Sequence, residues 1–304
     1  MDVFFGGAER LSPLVLVALG YLLKKVRVVD DGAADSLMKL VFNVFLPASI
    51  FYSLLQIRLT PELFILPAAG FLIALACYAF GFLAKGFLGM KRETQGSFLI
   101  ACGATNQALF TYPFFLMYLG TIGLSYVAFY DVGQAVLSLT LAYYIAMRYG
   151  KKHVGLGKMA KKMLVFPVLW AFALSLLVNS LGLSHAAQPL MPFITMLHGC
   201  TINLVMLSLG LFLSPVIREG RAMAGVIFTR FAFALGAAFL LAYALNLQGL
   251  ERTTVIIASA VPPAMLTLVY SAEEGLDVEY TSAMLSVCIL IGLVYTPVLF
   301  TLLL

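Results

Sequence analysis

A series of long apolar runs separated by short loops constrains this chain more than any other feature of its sequence. A helix needs about 20 mostly apolar residues to cross the hydrocarbon core of a bilayer, where backbone polar groups must be paired within the protein. Charged residues make up only 11% of the chain, against roughly 25% in an average soluble domain. The sequence therefore predicts an all-α polytopic membrane protein with ten transmembrane helices, at about residues 11–23, 37–57, 63–84, 95–118, 122–147, 163–182, 189–213, 222–246, 253–271 and 280–303.

The basic residues are distributed unevenly between the loops. Most of them follow the first, third, fifth and seventh predicted helices, including the linker "RYGKKHVGLGKMAKK" from Arg148 to Lys162, whereas the opposite side holds only Arg10, Arg58 and Arg252. Because basic loops stay in the cytoplasm, this pattern predicts a protein of the cell (inner) membrane with both termini outside the cytoplasm. The net charge of +5 follows from this asymmetry, so we expect the lipid bilayer and no nucleic acid as a partner.

The second half of the chain resembles the first half at an offset of about 153 residues. "SPLVLVALGYLL", from Ser12 to Leu23, falls on "FPVLWAFALSLL", from Phe166 to Leu177, and later "YLGTIGL" falls on "YSAEEGL". We therefore predict two repeats of five helices each, residues 1–150 and 151–304. Because five is an odd number, the second repeat must be inverted in the membrane, which is a common construction of secondary transporters.

Two corresponding helices are interrupted by polar residues and proline. The fourth contains "GATNQALFTYP", from Gly103 to Pro113, and the ninth contains "SAVPPAM", from Ser259 to Met265. Proline removes a backbone donor and clashes with the preceding turn, so each helix could kink or break there. The corresponding positions favour two broken helices that cross at the membrane midplane. Helix ends with free N–H groups would then meet at one point, which favours an anion such as a carboxylate.

The residues of these interruptions are the candidate substrate-binding residues. Asn43 of the second helix is added to them, because it could face the substrate, although it could equally cap a kink. The full set is Thr105, Asn106, Gln107, Pro113, Pro262, Pro263 and Asn43.

Three further residues are candidates for coupling or support. Asp131 is the only acidic residue well inside a predicted span, and intramembrane carboxylates are rare and usually functional. It could take up a proton, pair with a cation or hold the broken backbone, or it could be a structural carboxylate bonded to Gln134, one turn away. Arg230, near the middle of the eighth helix, could neutralise Asp131, attract the substrate or extend to a lipid headgroup.

The sequence offers little for catalysis or metal binding. Cys77, Cys102, Cys200 and Cys288 lie in apolar segments without metal or redox spacing. One central aspartate, with no histidine or cysteine cluster, does not equip an intramembrane protease. We therefore expect no enzyme activity, no metal and no cofactor. A receptor without transport is left open, although it has no evident need for paired broken helices.

These residues resemble the auxin efflux carrier family, which includes plant carriers and bacterial permeases assigned to malate or malonate. The resemblance covers nearly the whole chain and rests on "GYLLKK", "LVFNVFLPASIF", "ATNQALFTYP" with "YLGTIGL", "FYDVGQ", "SAVPPAM" and "EEGLD". It implies two inverted five-helix repeats whose fourth and ninth helices cross at the substrate site. It also implies a scaffold of helices 1, 2, 6 and 7, which usually forms a homodimer, and a transport domain of helices 3–5 and 8–10 that moves as an elevator.

Together these features predict a secondary transporter of small organic anions, either mono- or dicarboxylates such as malate or malonate, or auxin-like acids. Proton coupling, sodium coupling and uncoupled transport all stay open. The alternative is a sodium-coupled carrier resembling the bile acid symporters. Thr105, Asn106, Gln107 and unwound carbonyls would supply part of a sodium site, but only Asp131 offers a clear central charge.

Overall fold

The computed structural model describes residues 12–151, 167–213 and 215–304 of the chain. Within these ranges the chain is helical and contains no strand, so the predicted all-α class is confirmed. Most of the basic linker between Arg148 and Lys162 lies outside the described residues. In chain order the α-helices are α1 (Ser12–Lys25), α2 (Asp31–Leu40), α3 (Leu46–Leu55), α4 (Ile65–Ala84), α5 (Arg92–Gly103), α6 (Tyr112–Leu139), α7 (Leu141–Tyr149), α8 (Pro167–Ser180), α9 (Met191–Phe212), α10 (Gly220–Ile227), α11 (Ala234–Ala244), α12 (Gly249–Ser259), α13 (Leu266–Glu274) and α14 (Val278–Leu303).

Six continuous helical stretches in the described part of the chain are long and apolar enough to cross a membrane. The other predicted spans correspond to shorter helices, among them α1, α8 and the pair α12 and α13. The number of ten transmembrane helices and the inverted repeat therefore stay predictions. The six stretches are Ser36–Leu55, Pro61–Phe87, Gln107–Tyr149, Leu183–Phe212, Gly220–Ala244 and Val278–Leu303.

Irregular turns interrupt several of these stretches. Three π-helical segments, Val41–Phe45, Gln107–Thr111 and Phe228–Phe233, lie within them, and such segments are rare and frequent at functional sites. Gly120 lies inside α6 with φ 64° and ψ −158°, which only glycine adopts easily. This break lies between the predicted fourth and fifth helices.

The described residues form two compact units. Unit 1 consists of residues 12–59, 108–125 and 167–213, and unit 2 consists of residues 60–107, 126–151 and 215–304. Residues 108–125, which include the second part of the predicted fourth helix, group with unit 1. The assignment of a scaffold and a transport domain to the predicted helices stays a prediction.

In unit 1, α1 and α9 touch through glycine. A Cβ atom on Gly20 would lie 2.2 Å from the carbonyl oxygen of Leu207, and one on Gly210 would lie 2.1 Å from that of Val17. Small residues let helix backbones approach closely where the hydrophobic effect gives no driving force between helices. The pair of glycines therefore sets the closeness of these two helices.

Unit 1 also pairs α3 with α8 through one amide. Asn179 Nδ2 donates to the carbonyl oxygens of Leu54 at 2.5 Å and Ile57 at 2.9 Å. These carbonyls lie at and just after the end of α3, where the helix itself supplies no donor. The contact satisfies that helix end within unit 1.

In unit 2, α4 packs against the second part of α6 in the same way. A Cβ atom on Gly133 would lie 1.7 Å from the carbonyl oxygen of Pro67, and one on Gly70 would lie 2.3 Å from that of Tyr130. The helices can cross at this distance only because both positions lack a side chain. This contact holds the part of α6 that carries Asp131 against α4.

Side-chain contacts join the loops of unit 2 at its two ends. At one end, residues after the predicted third, fifth, seventh and ninth helices contact one another. At the other, the hydroxyl of Tyr126 donates to Glu251 Oε1 at 3.4 Å. Which end faces the cytoplasm stays a prediction. The contacts at the first end are Lys151 Nζ with Glu93 Oε1 at 3.1 Å, Thr94 Oγ1 with Asp277 Oδ2 at 2.7 Å, and the ion pair of Arg218 with Glu279.

Candidate functional site

The first helix break follows α5 directly. Ala104 is extended, with φ −81° and ψ 126°, and helical turns resume in the π-helical segment Gln107–Thr111. Gly103 is required by packing, because a Cβ atom there would lie 2.3 Å from the ring of Tyr78. The chain thus leaves the helix at residues 104–106, within the interruption predicted from the sequence.

The second break separates α12 from α13. Ala260 leaves the helix with φ −99° and ψ 58°, and residues 260–265 are non-helical. Pro262 and Pro263 lie in the middle of this segment and are both buried. Two adjacent prolines remove two backbone donors and disfavour helix in the residue before each of them. The ninth predicted helix is therefore interrupted where its prolines predict.

The two breaks pair with each other inside unit 2. Thr105 lies opposite Pro263 in an isolated antiparallel bridge. Backbone groups buried away from water must find partners, and here each break supplies the partners of the other. Two hydrogen bonds flank the bridge, from Asn106 N to Pro262 O and from Ala264 N to Ala104 O, both at 2.9 Å.

This register explains how proline fits the bridge. The two flanking hydrogen bonds use neither the nitrogen of Thr105 nor that of Pro263, which makes them a non-hydrogen-bonded pair. Proline lacks only a donor that this position does not use. The N–H of Thr105 is directed elsewhere and donates to Gln134 Oε1 at 3.3 Å.

Gln134 connects the break to Asp131. Its Nε2 donates to Asp131 Oδ1 at 2.6 Å, and its Oε1 also accepts from Ser138 Oγ at 2.8 Å. Gln134 is buried and Asp131 is half-buried. The predicted support of Asp131 by Gln134 is present as a hydrogen bond, and it reaches the backbone of Thr105. The coupling role of Asp131 stays a prediction.

The polar side chains of the first break are buried with it. Thr105, Asn106 and Gln107 are 6%, 4% and 2% exposed. Gln107 Nε2 donates to Thr105 Oγ1 at 2.8 Å and to the carbonyl oxygen of Ala258 at 2.7 Å. Its Oε1 has no hydrogen-bond partner in the described part of the chain, and a buried unpaired acceptor is costly. Gln107 therefore retains capacity to bind a donor.

Arg230 joins the carboxyl ends of α5 and α12. It lies in the π-helical segment Phe228–Phe233 and is fully buried, so it does not extend to a lipid headgroup. Nε donates to the carbonyl of Val261 at 3.0 Å, Nη1 to that of Cys102 at 3.2 Å, and Nη2 to that of Ser259. Helix carboxyl ends carry partial negative charge, which a cation stabilises. Arg230 thus caps both interrupted helices with a fixed positive charge.

Two predicted site residues lie in unit 1. Pro113 is buried beside a cavity of about 10 Å³, enough for one water molecule, whose wall includes Ser49 and Thr201. Asn43 is exposed, and its amide donates to the carbonyl of Lys39 at 2.7 Å, one turn earlier. This bond matches the alternative in which Asn43 caps an irregular turn. Unit 2 holds the other predicted residues.

The structure adds two features that sequence reasoning missed. Glu274 is fully buried at the end of α13, where the hydroxyl of Tyr143 contacts it. The hydroxyls of Tyr130 and Ser259 are 2.8 Å apart beside the second break. The signal for Glu274 was present in "EEGLD", but the predicted ninth helix ended before it. Among the described residues, no group of three or more potential metal ligands comes together.

Comparison with known proteins identifies relatives of the whole chain. A family described as "Membrane transport protein" matches residues 11–300. An uncharacterized transporter of Methanothermobacter thermautotrophicus is 28% identical over 304 residues, which covers 97% of this chain and 98% of the relative. An uncharacterized transporter of Methanocaldococcus jannaschii is 29% identical over 278 residues, which covers 88% of this chain and 89% of the relative.

Proposed function

Because the chain belongs to the membrane transport protein family, that of the auxin efflux carriers, and is therefore a membrane transporter, we propose that it carries small organic anions across the cell (inner) membrane. The proposed substrates are mono- or dicarboxylates such as malate or malonate, or auxin-like acids. One observation carries this proposal: unit 2 buries two paired helix breaks beside a fully buried arginine.

The chemistry of the breaks favours an anion over a sodium ion. Sodium binds through oxygen ligands, and six of the carbonyl oxygens around the breaks already accept hydrogen bonds. The guanidinium of Arg230 would also repel a second cation. A sodium-coupled carrier is therefore the weaker alternative. The occupied carbonyls are those of Cys102, Ala104, Ala258, Ser259, Val261 and Pro262.

Asn106 is the proposed centre of the carboxylate site, assisted by the hydroxyl of Thr105. Both amide hydrogens of Gln107 are used by Thr105 Oγ1 and the carbonyl of Ala258, so its free Oε1 is proposed to accept from a hydroxyl or protonated carboxyl group of the substrate. Neutral amides and hydroxyls replace the hydration of a carboxylate without a fixed ion pair, so binding stays weak enough for release. Pro262 and Pro263 hold the paired backbone that presents these groups. Arg230, whose three hydrogen bonds go to carbonyls, contributes positive potential and no direct contact.

Transport proceeds, in this proposal, by an elevator movement in which predicted helices 3–5 and 8–10 carry the site and helices 1, 2, 6 and 7 form the scaffold of a homodimer. The division of the chain supports it, because unit 2 contains both breaks and the residues that support them. The substrate shifts the equilibrium between two states only by as much as its affinity for them differs. Pro113 and Asn43 of unit 1 stay predicted substrate contacts.

Asp131 determines the coupling in this proposal. If it binds a proton in one state, transport is proton-linked. If it stays charged, the carrier is a uniporter driven by the membrane potential. An anion leaving a cell that is negative inside gains about 2.3 kcal/mol per charge per 100 mV, so export needs no coupling ion.

Transport currents in proteoliposomes test the proposal. Malate, malonate, succinate and indole acetate are offered with and without pH and sodium gradients. We expect a current for at least one carboxylate that Asn106→Ala abolishes and that the exposed Asn203→Ala leaves unchanged. Symport of one proton with a monoanion moves no net charge, so uptake of the labelled anions is measured beside the current. Neither current nor uptake for any of these anions in correctly inserted protein, or equal transport by both variants, would contradict the proposed site. A current that requires sodium would favour the bile-acid-like alternative.

A further inference from the structure

A groove opens at the end of unit 2 where the loops after the predicted third, fifth, seventh and ninth helices meet. It lies between the start of α5 and the end of α7, has a volume of about 380 Å³, and is lined by Arg92, Tyr144, Met147 and Arg148. We call it the arginine groove. It involves none of the residues of the paired breaks.

The mouth of the arginine groove is positively charged and held in place. Arg92 Nη2 donates to the carbonyl oxygen of Arg148 at 2.6 Å, which joins the start of α5 to the end of α7. The nearest acidic side chain on α5, that of Glu93, is paired with Lys151 at 3.1 Å. The two guanidinium groups therefore face the groove with an excess of positive charge.

The wall of the groove becomes apolar one helical turn from the charged mouth. Tyr144 precedes Arg148 by four residues on α7, so the two lie on the same face about 6 Å apart along the helix. Its side chain is 57% exposed, and Met147 lies beside it in the lining. Tyrosine with this neighbourhood is typical of the boundary between headgroups and acyl chains.

We propose that the arginine groove binds an anionic phospholipid. The phosphodiester lies between Arg92 and Arg148, and the upper part of an acyl chain follows Tyr144 and Met147. Basic pockets between membrane helices on the cytoplasmic side bind anionic headgroups, and the basic loops predict that this end of unit 2 faces the cytoplasm. Soluble phosphate would meet the same arginines but would leave the apolar wall uncovered. The inference is independent of the substrate proposed above.

Lipid binding to the purified full-length protein tests the inference. Native mass spectrometry in detergent counts bound phosphatidylglycerol, phosphatidylcholine of the same acyl chains, or inorganic phosphate. We expect phosphatidylglycerol adducts in preference to both other probes. Each arginine near an anionic headgroup strengthens binding about fivefold, so Arg92→Gln with Arg148→Gln weakens it about 25-fold. Arg92→Gln alone weakens it about fivefold, whereas Arg252→Gln, an equal loss of one charge at the other end of unit 2, leaves it unchanged.

A second variant separates the acyl chain from the charge. Tyr144→Ala keeps both arginines and removes the apolar wall, so it weakens phosphatidylglycerol binding while leaving the binding of inorganic phosphate as it was. Tyr144→Ala still tests the lipid site if the double arginine variant does not fold. Equal phosphatidylglycerol binding by wild type and the arginine variants would overturn the site. Inorganic phosphate that competes equally with phosphatidylglycerol would overturn the lipid as its ligand.

Discussion

Unit 1 and unit 2 bury different kinds of polar side chain. Among the described residues, the buried polar side chains of unit 1 are all serine or threonine, whereas unit 2 also buries Asn106, Gln107, Gln134, Arg230 and Glu274. Serine and threonine can bond to a carbonyl of their own helix, one turn back. Amides and charges have more groups to satisfy, and a helix interior cannot satisfy them alone.

The hydrogen bonds follow this division. In unit 1, Ser208 donates to the carbonyl of Leu204 in the same helix at 2.6 Å. Thr201 contacts the carbonyl of Leu197 in its own helix at 3.0 Å and that of Phe45 at 3.2 Å. In unit 2, Arg230 bonds across three segments of the chain. A unit whose buried polar groups are hydroxyls can satisfy them within single helices and needs few bonds between helices, such as that of Asn179 to the end of α3. A unit with buried tertiary networks keeps its shape only while those networks are complete, which suits a binding site.

The largest effect is expected from Arg230→Met. Removing the guanidinium leaves three buried carbonyls without their donor, so we expect a loss of about 3–5 kcal/mol of unfolding free energy and no transport. Arg230→Lys keeps the charge, but one ammonium group cannot reach all three carbonyls. Its free energy of unfolding should therefore lie between those of the wild type and Arg230→Met. Denaturant titration in mixed micelles measures the change, with the exposed Arg252→Met as control. Equal stability of Arg230→Met and Arg252→Met would contradict the role of Arg230 in capping both helices.

A glycine in unit 1 gives the next effect. Gly210→Ala places a methyl group 2.1 Å from the carbonyl oxygen of Val17, so α1 and α9 must separate at a cost of about 1–3 kcal/mol. Gly199→Ala, on the same helix with open space around it, is the control. If unit 1 is only a scaffold, Gly210→Ala lowers the melting temperature without changing KM. A raised KM in the folded variant would place substrate contacts near this helix pair.

Gln134→Leu tests the network of unit 2 without removing a charge. It breaks the bonds to Asp131, Ser138 and the N–H of Thr105, so we expect a loss of about 1–2 kcal/mol and a higher KM for the carboxylate. The exposed Gln188→Leu should change neither. Stability that falls while KM stays constant would mean that Gln134 supports the fold alone.

A matched pair of serines gives the smallest effect and the cleanest contrast between the units. Ser259→Ala in unit 2 leaves the buried hydroxyl of Tyr130 without its partner, at a cost of about 1 kcal/mol. Ser208→Ala in unit 1 removes only a bond to its own helix and should cost less than about 0.5 kcal/mol. Thermal unfolding of both variants in one detergent measures the difference between their stability losses. Equal losses would mean that the two units do not differ in this way.

Sequence reasoning found the helix breaks because proline and glycine act locally. Pro262 and Pro263 interrupt any helix by removing donors, and the first break directly follows Gly103, the last residue of α5. Local sequence pattern does not predict the register in which Thr105 faces Pro263, because that pairing depends on how distant segments meet. The spacing of Asp131 and Gln134 predicted their contact, which the structure contains.

Residues in uniformly apolar helices were the hardest to interpret. The segment "VFNVF" around Asn43 is apolar on every side, so no pattern shows which face is buried, and Asn43 is exposed. Arg230 left three alternatives open for the same reason. Its burial and its carbonyl partners arise from α5 and α12, which are far from it in sequence. Local pattern thus predicts where a helix breaks but not what fills the break.

The two helix breaks pair with each other through Thr105 and Pro263, and an engineered disulfide can trap this contact. Opposed residues of a non-hydrogen-bonded antiparallel pair have Cα atoms about 4.5 Å apart, within the range that a disulfide spans. Thr105→Cys with Pro263→Cys, in a variant whose four native cysteines are replaced, should form a linked peptide in oxidised membranes. Thr105→Cys with Thr253→Cys, which lies six residues before the end of α12, should not. The absence of the first link, or equal formation of both, would contradict the pairing.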